Sequence, residues 1–439
     1  MKTAKILKTV LILSLFIQSF LFASTDYPQN IILIIVDGGG FTHIDAIDYY
    51  QYGKKGGQNF EKFPVRLAVT TYPAGGSYDP NKAAQDFNYV KTGLITDSAA
   101  AATALAAGVK TSNGTLGLDV NDIRLENVIE KCEKLGIATG VVTTVEITDA
   151  TPAGFVAHAK SRRDYEQIAD EMINKSALEV IFGCGNPFFD DDGKKLDKPG
   201  NFKYVGSKKI WDSLVKGTAG ADADGDKVAD KWTLIQSRQD FISLADGNTP
   251  KRIIGIAQAA TTLQEKRSGD STIPFNAPPN QNVPNLSEMT KAALNVLDDD
   301  NDGFFIMVEA GAVDWASHGN SSARMIEEMR DFTRAADAVI DWVQTKSSWQ
   351  KTLVIITSDH QTGYLTNVLN SGSGTLPPMR WNSKDHTKSL VFLFAKGQGS
   401  ELFEQQAKGK DLFYGSFIDN TDIAKVIFAL LERRVSVKK

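Results

Sequence analysis

The sequence predicts an α/β fold with one doubly wound, mostly parallel central sheet and helices on both faces. Three observations predict it. Short runs rich in Val and Ile recur along the 439 residues without inside–outside alternation, as in strands buried on both faces. Amphipathic stretches of helical period separate them. Acidic residues close four of the runs, and open parallel sheets bind ligands beyond the carboxyl ends of their strands.

In chain order, the N-terminus comes first. Lysines at 2, 5 and 8 precede an apolar run from Val10 to Ala23. This is a secretory signal pattern, so residues 1–23 read as a signal peptide and 24–439 as a single domain. The run is short for a membrane span, so no stable membrane anchor is expected. The mature chain is expected in the periplasm or outside the cell. "NIILIIVD" (30–37) is the first strand and ends on Asp37. "ITDSAAAATALAAG" is an alanine-rich helix opened by Ser98. "LENVIEKCEKLG" is helical and holds Cys132.

"ATGVVTTVE" (138–146) is a strand closed by Glu146, and "DYEQIADEMINK" is an amphipathic helix. "LEVIFG" (178–183) leads to Cys184. An oxidising compartment permits one bridge between the two cysteines, and two buried thiols are the alternative. "RIIGIA" (252–257) is a strand, and the Pro- and Asn-rich residues 266–285 form a long loop. "FFIMVE" (304–309) ends on Glu309, and "SSARMIEEMRDFTRAADAVIDWVQ" is a long helix. "TLVIITSD" (352–359) ends on Asp359, and "SLVFLFAKG" (389–397) is the last strand of the set.

Two stretches resemble calcium loops. "DDDNDGFFIMVE" (298–309) has the aspartate spacing, but its second half is aromatic and β-branched and suits a strand. It is expected to be an acidic turn. "DADGDKVAD" is the better candidate for an extra Ca2+, near Asp222, Asp224, Asp226 and Asp230.

The net charge of −5 gives no footprint for nucleic acid. Asp37, Glu146, Glu309 and Asp359 on one edge would repel one another unless cations neutralised them. Of five histidines, three fall on that edge. Asp314 and His318 stand four apart and share a helix face, His360 follows Asp359, and His386 precedes a strand. Imidazole with carboxylate is a zinc-type ligand set. His43 and His158 lack such company and read as structural. Ser98 has two readings, a helix cap or a nucleophile placed where helix-end N–H groups cradle an anion. Without a serine-hydrolase elbow, a nucleophilic serine needs a metal to activate it. Asp149 and Thr151 suit a hard ion such as magnesium, and Arg162 offers a fork for two phosphate oxygens.

These motifs carry a resemblance. "ITDSAAAAT", "GVKTSNGTLGLD", "ATPAGFVAHAKSRRDYEQIA", "EVIFGCG", "FFIMVEAGAVDWASHG", "TSDHQTGYL" and "DHTKSLVFLFAKG" resemble the alkaline phosphatases, in family order across nearly the whole mature chain. The resemblance implies phosphate monoester hydrolysis through a phosphoserine, with small phosphorylated substrates. It also implies two Zn2+ and one Mg2+ per chain. Ser98 would be the nucleophile, and Arg162, steadied by Asp97, would bind phosphoryl oxygens. Asp314, His318 and His386 would hold the first zinc. Asp37, Asp359, His360 and the Ser98 oxygen would hold the second. Asp37 would bridge to magnesium, completed by Thr151 and Glu309, with Asp149 holding its waters. The family is often dimeric, so a homodimer is an expectation.

Three departures stand out. "VDGGG" replaces the more usual "GDGMG", Gln361 stands where glutamate is commoner, and Trp315 occupies a position where some members place a cation. A phosphodiesterase is the nearest rival within the superfamily, and Ser98 with Arg162 favours the monoesterase. A calcium-stabilised binding protein with a dead site is the rival from another class.

Overall fold

The computed structural model describes residues 27–438, so the signal-peptide reading of 1–23 lies outside the described residues. An eleven-stranded sheet forms the centre. Its strands are β1 (Asn30–Val36), β2 (Val65–Thr70), β3 (Ala138–Glu146), β4 (Val180–Cys184), β5 (Thr233–Ile235), β6 (Ile253–Ile256), β7 (Phe304–Ala310), β8 (Thr352–Ser358), β9 (Val391–Gly397), β10 (Gly409–Asp411) and β11 (Gly415–Asp419). Their spatial order is β10-β11-β2-β9-β8-β1-β7-β3-β4-β6-β5.

From β8 to β5 every pairing is parallel. β9 runs antiparallel to both β8 and β2, which corrects its reading as a further parallel strand. Its apolar run matches the others because both of its faces are equally buried. β2, β5, β10 and β11 escaped the sequence reading. β5 and β10 are three residues long, and Arg66 interrupts the run of β2.

Alternate residues of each strand feed separate cores, because strand side chains switch face at every step. Ile31, Leu33, Ile35, Phe305, Met307, Leu353 and Ile355 pack against the helices Ser98–Ala107, Val128–Glu133, Tyr165–Asn174 and Thr421–Lys438. Ile32, Ile34, Val36, Ile306, Val308, Val354 and Ile356 pack against Phe41–Tyr52, Leu286–Leu297 and Ser322–Thr345. Helices therefore cover both faces. The central order β8-β1-β7-β3 sets Asp359, Asp37, Glu309 and Glu146 side by side at one carboxyl edge.

The stretch at 298–309 is an acidic turn running into β7. The Gly303 N–H donates to Asp300 O at 3.0 Å, and Asp302 pairs with Arg434 at 2.9 Å. Cys132 and Cys184 are buried free thiols. Among the described residues no helix is long and apolar enough to cross a membrane.

Candidate active site

Asp97 takes the cap role that the sequence left open for Ser98. Asp97 is the N-cap: its Oδ1 accepts from Ala100 N at 3.0 Å. Ser98 is the first helical residue, so its hydroxyl is free of capping. Only 3% of Ser98 is exposed, and its Oγ lies 3.2 Å from His360 Nε2. The same Nε2 stands 3.5 Å from Asp37 Oδ1 and 3.2 Å from Asp359 Oδ2.

A second cluster lies alongside. On the helix Ala312–His318, His318 Nε2 is 3.3 Å from Asp314 Oδ2. His386 Nε2 is 3.1 Å from His318 Nε2 and 3.5 Å from Asp314 Oδ1. The rings of His360 and His386 stack with centroids 3.7 Å apart, which joins the two clusters. Each triad gathers its ligand atoms within 4.8 Å of one another.

The histidines are aimed by partners on their other nitrogens. A carbonyl oxygen can only accept, so His386 Nδ1–H donates to Thr96 O at 2.9 Å, and His318 Nδ1–H donates to Lys384 O. Both rings thus turn Nε2 into the site. His360 Nδ1 meets Thr362 Oγ1 at 3.3 Å, and that hydroxyl donates to Asp314 Oδ1 at 2.5 Å.

The electrostatics call for cations. Burial and the neighbouring carboxylates of Asp359, Asp314 and Glu309 hold Asp37 well above the usual carboxylate range. Burial followed by Asp314 pushes Asp359 up to about 8. Burial followed by Asp149 pushes Glu309 up to about 8. For Asp314 burial acts upward too, but His318, His386 and His360 override it and hold it below the usual range. The bond to Asp314 raises His318 to about 9, whereas burial and His386 push His360 well below the usual imidazole value. Asp37 Oδ1, Asp359 Oδ2, Glu309 Oε1 and Thr151 Oγ1 are buried without a hydrogen-bond partner. Oxygens in that state cost several kcal/mol unless something positive meets them, so this donor set fits bound cations.

Arg162 reaches the same edge. Its NH1 bonds Asp97 Oδ2 at 3.3 Å and its NH2 bonds Asp149 Oδ1 at 3.1 Å. Two carboxylates therefore hold the fork, where the sequence reading gave Arg162 only Asp97.

A sequence model of the family described as alkaline phosphatase matches residues 28–413. The chain belongs to the alkaline phosphatase family. It is 32% identical over 347 residues to alkaline phosphatase 3 of Bacillus subtilis, covering 77% of this chain and 62% of that protein. It is 29% identical over 427 residues to the alkaline phosphatase of Escherichia coli, covering 89% and 86%. The chain thus spans 62% of the length of the Bacillus relative and most of the Escherichia one. The solved alkaline phosphatase of the Antarctic bacterium TAB5 superposes with a TM-score of 0.65 at 26% identity, covering 93% of this chain and 99% of that one.

One departure from the usual family motifs, and one position that it keeps, have local explanations. Gly38, which "VDGGG" shares with the usual "GDGMG", has φ +72°, and a Cβ there would lie 2.8 Å from Asp314 Cα. Its N–H donates to Asp359 Oδ1 at 3.1 Å, so a bare backbone is needed between the two metal-type clusters. Gln361 is buried and accepts from Thr387 Oγ1, tying the short strand Gln361–Thr362 to His386–Thr387. That pairing fixes His360 relative to His386.

Sequence reasoning missed Thr143 and Thr362. Thr143 lies opposite Glu309 across β3 and β7, and its hydroxyl donates to Glu309 Oε2 at 2.5 Å. The one signal for Thr362 is a hydroxyl two positions after His360, and for Thr143 a hydroxyl three positions before the edge acid Glu146. His43 and His158 are structural, as expected. His43 Nδ1 accepts from Gly40 N, and His158 packs between Glu130 and Glu171.

The suggested calcium loop is smaller than expected. Asp222, Asp224 and Asp230 converge, but Asp226 is taken up by its own turn through Val228 N. Lys251 Nζ sits 2.6 Å from both Asp224 and Asp230, so a protein cation already neutralises that pair.

Proposed function

We propose that the chain hydrolyses phosphate monoesters at this carboxyl edge, with Ser98 as the nucleophile. The observation that carries the reading is the setting of Ser98 Oγ. It heads a helix, 3.2 Å from His360 Nε2, beside unpartnered oxygens of Asp37 and Asp359.

In this reading Asp314, His318 and His386 hold one zinc, and Asp37, Asp359, His360 and the Ser98 oxygen hold a second. Asp37, Thr151 and Glu309 hold magnesium, with Asp149 beside them. A variant of the TAB5 enzyme has Mg bound in its M3 site, which supports a magnesium position in this family. When bound, the cations neutralise the acid cluster and lower the pKa of the serine hydroxyl. Everything else falls to the chain. The free N–H groups at the start of helix Ser98–Ala107 face the phosphoryl group. Arg162, preset by Asp97 and Asp149, binds two equatorial oxygens and stabilises their charge. Ser98 Oγ attacks phosphorus and the ester alcohol departs. Water then attacks the phosphoserine, releasing inorganic phosphate and restoring the serine.

The test is hydrolysis of an aryl phosphate with and without chelator, beside Ser98→Ala and metal analysis of the purified protein. Acid-quenched turnover should leave phosphate on Ser98 by mass spectrometry. Activity that survives chelation, or survives in Ser98→Ala, overturns the reading. The leader pattern at 1–23 supports export to the periplasm or beyond, and the family supports a homodimer. Cell fractionation and sedimentation test these.

A further inference from the structure

The loop after β6 sets a cation over Trp315, the residue that follows Asp314. Leu263 N–H donates to Thr144 O at 3.0 Å, at the end of β3, and Thr144 Oγ1 accepts from Ala312 N at 3.1 Å. Arg267, 5% exposed, locks the following residues. Its guanidinium bonds Glu327 at 2.8 Å and the carbonyls of Gln264, Ala277 and Pro278. Lys266 N–H bonds Thr262 Oγ1 at 3.0 Å. The backbone of Lys266 is therefore fixed to β3 and to the helix that carries Asp314 and His318.

Its side chain lies over Trp315, with Nζ 4.4 Å from the ring centroid, and Trp315 directly follows Asp314. The ammonium enters no ion pair among the described residues, although its charge favours the ionised forms of Glu265 and of Glu146 on the same edge. The indole face is covered by the ammonium, so it cannot stack a planar leaving group. It holds a cation in place beside the helix that carries Asp314 and His318 instead.

We infer that Lys266, held by Trp315, is a specificity-determining residue that receives a second negative charge on the alcohol part of the substrate. The class is a phosphate monoester whose leaving group carries a carboxylate or a further phosphate. This rests on the hydrolysis proposed above for the same edge. The residue lies on the long loop, outside the motifs that carry the family resemblance.

The test uses the metal-loaded full chain and two matched aryl phosphates, one with a ring carboxylate and one neutral. The ratio of their kcat/KM values is the readout. In Lys266→Ala the ratio should fall on the order of tenfold, mainly through KM, about what one partly desolvated charge pair is worth. Lys266→Arg should restore most of it, Lys266→Glu should push it below Ala, and added salt should shrink the difference. An unchanged ratio in Lys266→Ala and Lys266→Glu, with wild type active on both esters, overturns the inference alone. A wild type inactive on both overturns the hydrolase reading and the inference with it.

Discussion

Thr362→Val isolates one hydroxyl that serves both metal-type clusters. The side chain is fully buried, donates to Asp314 Oδ1 at 2.5 Å and meets His360 Nδ1 at 3.3 Å. Valine keeps the shape and removes both contacts. A buried hydrogen bond to a charged group contributes about 1.5–3 kcal/mol, and the loss falls on two ligands at once. At about 1.4 kcal/mol per tenfold, zinc affinity should weaken by roughly 10–100-fold. Competition with a chromophoric chelator measures that affinity directly, and kcat on an aryl phosphate at saturating zinc shows what the misaligned His360 costs. Thermal unfolding of the chelated protein should change far less than the zinc affinity does. Wild-type zinc affinity in Thr362→Val would show that the hydroxyl does not orient the ligands.

Three further outcomes follow from the geometry. Asp97→Asn keeps the cap to Ala100 but removes the charge that fixes Arg162, so the inhibition constant for inorganic phosphate should rise several-fold with thermal stability nearly kept, whereas Asp97→Ala should also lose about 1 kcal/mol of cap stability; equal phosphate inhibition in all three forms would count against the anchor. Gly38→Ala forces an L-residue to φ +72° and a Cβ against Asp314, so both melting temperature and metal content should drop; a well-folded, fully loaded variant would show that the approach relaxes freely. Chelated protein should lose stability as pH rises from about 4, the range of an unfolded carboxyl, to about 8, where Asp359 and Glu309 ionise in the fold. Raised carboxyls mean that the folded chain binds more protons than the unfolded one, so stability falls across that window. Zinc and magnesium should flatten the slope, and a chelated protein as stable at pH 9 as at pH 6 would contradict the burial of uncompensated acids.

The sequence by itself determined the central strands and the chemistry of the edge. Continuous Val and Ile runs can sit only where both faces are covered, so β1, β3, β7 and β8 were legible to within a residue or two. Each carried its acid at the end, and the Asp314–His318 spacing placed two candidate ligands on one helix face. The tertiary structure alone decided the rest. β9 looks like its neighbours yet runs the other way, because burial sets its composition and chain connection sets its direction. That Asp97 and not Ser98 caps the helix rests on one hydrogen bond that no spacing encodes. Thr143, Thr362 and Lys266 are placed by contacts between segments 48 to 166 residues apart or by a loop laid across a strand end. Local pattern records what a residue can do, while its partner is chosen only when the sheet brings distant segments to one edge.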